Sequence, residues 1–208
     1  MIHIHKPAAR RDAPTILLLH GTGGDEYNLI DLGERLDPGA ALLGIRGNEP
    51  ERGMNRYFRR NADGTFDEEN IRSRAAELAQ FLDEAAEQYG FNRNKLIALG
   101  YSNGANMAAA MLLLYPDVFQ GAILHHPTLP LQEASMVRHQ DSKVFIGTSD
   151  NDPYSTPEKT SCLVQHLEQT GSHVTVHKES HGHSLTVTEL EAVQMWYRKN
   201  FRETSAEG

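Results

Sequence analysis

The sequence is poor in the features that hold small secreted domains together and in those that bind polyanions. Among 208 residues there is one cysteine, Cys162, which excludes an internal disulfide framework and any zinc site built on a cysteine cluster. Basic residues are outnumbered, 20 Lys and Arg against 28 Asp and Glu, and the formal charge of −8 repels nucleic-acid phosphates and anionic lipid alike. Neither polymer is an expected partner. Long hydrophobic runs are missing: the stretch Met107 to Leu114 falls far short of the roughly 20 apolar residues that cross a bilayer. Met1-Ile-His-Ile-His-Lys lacks the features of a secretory leader, so the cytoplasm is the expected location. Internal repeats, low-complexity tracts and Gly/Ser linkers are absent too, and one domain over residues 1–208 without a large separate lid is expected.

What is present is an alternation of short apolar runs with longer amphipathic stretches, the pattern of a mostly parallel sheet flanked by helices on both faces. Strands are expected at 2–5, 15–19, 40–45, 95–99, 121–124, 143–146 and 173–178. The first and last alternate apolar with half-polar residues and read as edges; the middle runs are apolar throughout and should be covered on both faces. The spacing of Ile71, Ala75, Leu78, Leu82, Ala85 and Tyr89 predicts a helix that starts after Asp67 as N-cap and ends at Gly90. A second is expected from Pro157 with Thr156 as cap. A last one follows Thr186 or Thr188 and turns Leu190, Val193, Tyr197 and Phe201 inward.

The most informative segment is Lys95-Leu-Ile-Ala-Leu-Gly100-Tyr-Ser102-Asn-Gly104-Ala, an apolar strand that runs through Gly-x-Ser-x-Gly into a helix. A serine on so sharp a turn has a strained backbone and leaves room only for small residues two places either side. Ser102 is therefore the candidate nucleophile, and the backbone N–H of Asn103 a candidate donor to a developing oxyanion. Upstream, strand 15–19 runs into His20-Gly-Thr22-Gly-Gly-Asp, a glycine loop that opens a helix; Thr22 is the natural source of a second oxyanion amide. The loop lacks the Gly-Lys-Ser/Thr of a nucleotide P-loop and the spaced glycines of a dinucleotide fingerprint.

A serine hydroxyl needs a histidine to take its proton and a carboxylate to orient that histidine. Both are expected at later strand ends, where Gly147-Thr-Ser-Asp150-Asn-Asp152-Pro offers two carboxylates and Ser-His181-Gly-His183-Ser offers two rings. His181-x-His183 also reads as a metal pair, but a third ligand from a cluster is not visible and no metal is expected.

These segments, His20-Gly-Thr-Gly-Gly, Gly-Tyr-Ser102-Asn-Gly, the Asp-Pro at 152 and Gly-His183-Ser-Leu, resemble the phospholipase/carboxylesterase branch of the α/β-hydrolases over about residues 13–201. Arg56-Tyr-Phe-Arg-Arg, Phe66-Asp-Glu-Glu and His125-His126-Pro127 are similar to small bacterial hydrolases of the hydroquinone-associated type. The resemblance implies an α/β-hydrolase fold and a cofactor-free serine esterase or thioesterase, and it favours Asp152 and His183 for the triad. The turn before Asp152 is about two residues longer than the family's Gly-x-x-Asp-Pro, which keeps Asp150 open as the carboxylate. Asn103 stands where many lipid-hydrolysing relatives have Gln.

Residues 46–65 read as a long irregular loop bordering the site. Tyr57, Phe58 and Met54 are expected to wall the pocket, with Arg59 or a neighbouring arginine clamping a substrate carboxylate and His126 lining it as well. The competing reading pairs these arginines with Glu49, Glu51 or Asp67. His20 is expected to orient the oxyanion loop, and His125 to bond backbone. The expected partner is a small, moderately polar ester. A thioesterase or lysophospholipase acting on acyl chains, a catalytically silent binding module and a homodimer through a sheet edge are the alternatives carried.

Overall fold

The computed structural model describes residues 1–132, 137–139 and 141–202. Nine strands are present among them: β1 (His3–Lys6), β2 (Thr15–Leu19), β3 (Ala41–Ile45), β4 (Glu49–Glu51), β5 (Met54–Arg56), β6 (Leu96–Tyr101), β7 (Gly121–His125), β8 (Lys143–Ser149) and β9 (His173–Glu179). Seven form one sheet in the order β1-β3-β2-β6-β7-β8-β9, in which β1 runs antiparallel to β3 and every other pair is parallel. The strands expected from the apolar runs are all in it, and the half-polar first and last are its edges.

The helices are α1 (Ile30–Leu36), α2 (Glu68–Tyr89), α3 (Asn103–Leu114), α4 (Pro157–Gln169) and α5 (Val187–Tyr197). Alternate residues of each strand face opposite sides. Leu17, Leu19, Ala98, Leu124 and Ile146 pack under α2, α3 and α4, while Ile16, Leu18, Ile97, Ile123 and Phe145 pack against α1 and α5. Helix α3 is apolar on nearly every side because it lies between the sheet and its neighbours; all residues from Asn103 to Leu113 are buried. Local chemistry sets the helix ends. The Asp67 carboxylate accepts from Asn70 N at 3.0 Å and Gly90 closes α2 at φ +70°, a left-handed C-cap. Thr156 caps α4, and Thr186, not Thr188, caps α5 through Glu189 N at 3.0 Å.

Two expectations need correction. Residues 46–65 are not irregular throughout, because β4 and β5 pair as a short antiparallel hairpin. The helix expected at the end of the glycine loop begins only at Ile30, since Asp25 and Asn28 first turn the chain.

The order of the sheet matters for the site. After β2 the chain moves outward to β3 and then returns to β6 on the other side of β2. At that reversal the loops leaving the C-terminal ends of β2 and β6 diverge and open a crevice. The register Leu19↔Gly100 brings the His20 loop and the Ser102 turn to that crevice together.

Candidate active site

Ser102 occupies the turn between β6 and α3 with φ +51° and ψ −112°, a left-handed conformation that costs a non-glycine residue about 1–3 kcal/mol. Its N–H is held by His125 O at 2.9 Å. The flanking glycines are steric necessities. A Cβ on Gly104 would lie 2.0 Å from Leu19 O, and one on Gly100 2.7 Å from Ala105 N.

From the loop after β9, His183 Nε2 reaches Ser102 Oγ at 2.8 Å, and His183 Nδ1 lies 2.7 Å from Asp152 Oδ2. Asp152 is buried, and its Oδ1 accepts from Tyr154 N at 2.8 Å and Ser155 N at 3.3 Å. Burial alone would raise its pKa, but the hydrogen bonds from His183, Tyr154 N and His126 outweigh burial and hold it below the ordinary aspartate value. Asp150 is exposed and accepts from Ser180 Oγ at 2.7 Å instead, while His181 is exposed and its N–H donates to Ser149 Oγ. The geometry thus joins Ser102, His183 and Asp152. Two unanticipated tyrosines frame the ring: Tyr101 O–H donates to His183 O at 2.6 Å, and Tyr154 stands edge-on to His183 at 4.9 Å. Tyr101 lay in plain sight as the second residue of Gly-x-Ser-x-Gly.

On the other wall, His20 behaves as expected. Its Nε2 accepts from Gly47 N at 2.9 Å, so the ring proton sits on Nδ1 and donates to Gly21 O at 2.6 Å, tying the glycine loop to the end of β3. Burial lowers its pKa, which favours the neutral ring that this pattern requires. Thr22 and Asn103 border the same cleft as Ser102. As the first residue of α3, Asn103 offers a backbone N–H without an intrahelical partner. Its side-chain Oδ1 accepts from Tyr57 N at 2.8 Å, and its Nδ2 has no partner among the described residues.

The cleft measures about 850 Å³. Its wall from residues 46–66 differs from expectation. Tyr57 and Phe58 are buried in the core and do not line it: Tyr57 O–H donates to Ile45 O at 2.6 Å and accepts from His20 N at 3.0 Å, and Phe58 packs edge-on against Phe66. Met54 lies near Gly23 and Arg59 is turned outward to Asp67 at 3.3 Å, away from the cleft. The residues of this segment that do border it are Arg56, Arg60, Asp63, Gly64, Thr65 and Phe66, because the β4–β5 hairpin directs Arg56 to this side and sends the next two side chains beneath it. Arg56 Nη1 donates to Thr22 Oγ1 at 2.9 Å, and Glu51 lies against both Arg56 and Arg60. Asp63 and Glu68 line the cleft as well, so its wall carries charges of both signs. Burial, then Arg60, lowers the pKa of Arg56. Lys159 and Thr128 line the same cleft, and Thr128 Oγ1 is buried with no partner among the described residues.

His126 lines the cleft as expected, but it is buried and both ring nitrogens point to carboxylates, Nδ1 to Asp152 Oδ2 at 3.1 Å and Nε2 to Glu189 Oε2 at 3.2 Å. His125 bonds not backbone but Glu189 Oε1, at 2.5 Å from Nδ1. Glu189 is therefore a site residue that the sequence concealed: it sits three places after a capping threonine, where an acid reads as half of a capping box. Donor atoms of His126, Asp152 and His183 lie within 4.8 Å of one another, yet each is already spent on hydrogen bonds within the set.

Residues 53–201 match the Phospholipase/Carboxylesterase family. The chain belongs to that family. A Bacillus subtilis (strain 168) protein named as the hydrolase MhqD is 44% identical over 199 residues, covering 96% of this chain and 98% of its own. The crystal structure of the Bacillus cereus carboxylesterase superposes with a TM-score of 0.93 at 44% identity, covering 96% of this chain and 94% of that one. The structure of YahD with malic acid superposes with a TM-score of 0.91 at 32% identity, covering 96% and 98%. The fold is that of the α/β-hydrolases, and like its family this chain is a hydrolase of the carboxylesterase type. Among the described residues no helix is long and apolar enough to cross a membrane.

Proposed function

We propose that the protein hydrolyses a small polar ester through a Ser102–His183–Asp152 triad and an acyl-enzyme, without a cofactor. The observation that carries this reading is the unbroken chain of contacts, 2.8 Å from Ser102 Oγ to His183 Nε2 and 2.7 Å from Nδ1 to Asp152 Oδ2, at the mouth of a cleft. As Oγ attacks the ester carbonyl carbon, its proton passes to Nε2. The carbonyl oxygen becomes an oxyanion that accepts from the Thr22 and Asn103 amides, which are worth about 2.7–4 kcal/mol each where such donors have been removed. Collapse breaks the C–O bond and His183 returns the proton to the leaving alkoxide. Water, deprotonated by the same ring, then cleaves the acyl-serine.

The substrate reading rests on the cleft's chemistry. Arg56, Arg60 and Lys159 line it together with Asp63 and Glu68, so its wall is charged in both signs. Charged side chains penalise a long alkyl chain that would desolvate them and favour a small acyl part with its own oxygens. YahD, 32% identical, was solved with malic acid, a small hydroxy-dicarboxylate. Fluorophosphonate labelling of Ser102 and its loss in Ser102→Ala test the nucleophile. A series of oxygen esters and thioesters of increasing chain length tests the substrate, with kcat/KM expected to fall as the acyl part lengthens; a rise with length supports the thioesterase reading instead.

A further inference from the structure

His126 has more partners than a cleft-lining residue needs. Its ring is 2% exposed, and its backbone is held at φ +53° by an N–H bond to Gly147 O at 2.7 Å. A carboxylate oxygen only accepts, and a neutral imidazole has one N–H and one lone pair. With Asp152 Oδ2 at one nitrogen and Glu189 Oε2 at the other, a neutral ring would set its lone pair against a buried carboxylate. An imidazolium satisfies both. Asp152 Oδ2 is shared with His183 Nδ1, so His126 also competes for the charge that His183 needs when it takes the serine proton. Glu189 removes that conflict, since two carboxylates then face two cations as the oxyanion forms.

We infer that His126 is a standing imidazolium that positions Asp152, and that Glu189 is its counter-charge. The catalytic consequence rests on the triad reading above; the charge state does not. The other groups facing His126 are the Tyr101 ring at 6.2 Å and the His183 ring at 5.2 Å, with His125 beside it on β7 bonded to the far oxygen of Glu189. Arg56, Arg60, Lys159, Asp63, Glu68 and Tyr154 open into the same cleft. The titration directions agree. Burial pushes His126 down, but Glu189 and Asp152 raise it above the ordinary histidine value; Glu189, in spite of burial, is held well below the ordinary glutamate value by His125 and His126.

Side-chain nitrogen NMR of the histidines in the intact wild-type protein reads the charge directly, with the His126 signals assigned by their loss in His126→Asn. Both nitrogens are expected to remain protonated at about pH 7, where an ordinary histidine is mostly neutral. A neutral His126 ring at pH 7 overturns the inference. The kinetic arm compares pH profiles of kcat/KM. His126→Asn keeps an amide donor toward Asp152, suits a positive φ and removes the charge. Its acid limb is expected to move up by roughly one pH unit, and the double variant His126→Asn/Glu189→Gln to bring it back. A purely structural ring predicts no movement in the single variant, which contradicts the inference. Fluorophosphonate labelling of wild type is the separate control: absence of labelling sinks the triad reading and leaves the NMR result intact.

Discussion

Ser102 trades backbone strain for position. Its φ of +51° costs about 1–3 kcal/mol that a glycine would not incur. Ser102→Gly should therefore abolish turnover while leaving stability equal or higher by about 1 kcal/mol, read from thermal unfolding beside an activity assay. The two acids after β8 separate as cleanly. Asp152→Asn removes the partner of His183 Nδ1 and should reduce kcat by about 10⁴-fold, the loss seen when a triad carboxylate is neutralised. Asp150→Asn loosens contacts with Ser180 and Lys178 at the surface, and should keep kcat within a factor of a few. Tyr57 is a brace, contrary to its expected place in the pocket wall. Tyr57→Phe strands His20 N and Ile45 O, and should cost about 1–3 kcal/mol in denaturant unfolding with KM little changed.

At the scale of elements, the approach of α3 to the sheet fixes the site. The Cβ of a Gly104→Ala variant would overlap Leu19 O at 2.0 Å, backbone on both sides, so relief requires α3 to lift from β2. That substitution should lower Tm by several degrees or prevent soluble expression, whereas Ala→Gly exchanges further along α3 leave the turn intact. The same elements show what sequence patterns can carry. Strands such as β2 and β6 are legible because continuous apolar runs have few other uses, and the Gly100–Ser102–Gly104 spacing is legible because only small residues pass a backbone at that distance. The wall from residues 46–66 is not legible in that way. Whether Arg56 or Arg59 faces the cleft depends on the register of a three-residue hairpin, and a shift of one position exchanges the faces. Glu189 was hidden for a different reason: its partners His125 and His126 lie more than 60 positions away, and its local context already explained an acid.

For the whole molecule, buried ion networks tie stability to pH from both sides. Asp152 and Glu189 at the site, and Asp37, which joins Arg10 to Tyr197, all titrate below their ordinary values through hydrogen bonds that overcome burial. Their contribution is complete above the unfolded carboxylate range near pH 4 and is lost as pH falls through the depressed folded values. His126 runs the opposite way: raised in the fold, it stabilises fully below about pH 6.5 and less as pH climbs through its folded value. Tm is expected to peak between these limits. Glu189→Gln should weaken the slope on both sides, because it removes one carboxylate and the main partner of His126, and a pH series of thermal melts checks it.

The most direct measurement is an acid-quenched reaction with an activated acetate ester, analysed by intact mass and peptide mapping within the first turnovers. One added acetyl group on the peptide containing Ser102, absent in Ser102→Ala and formed slowly in Asp152→Asn, is the predicted result. Steady hydrolysis with no acyl group on Ser102, or with the acyl group on another residue, contradicts it.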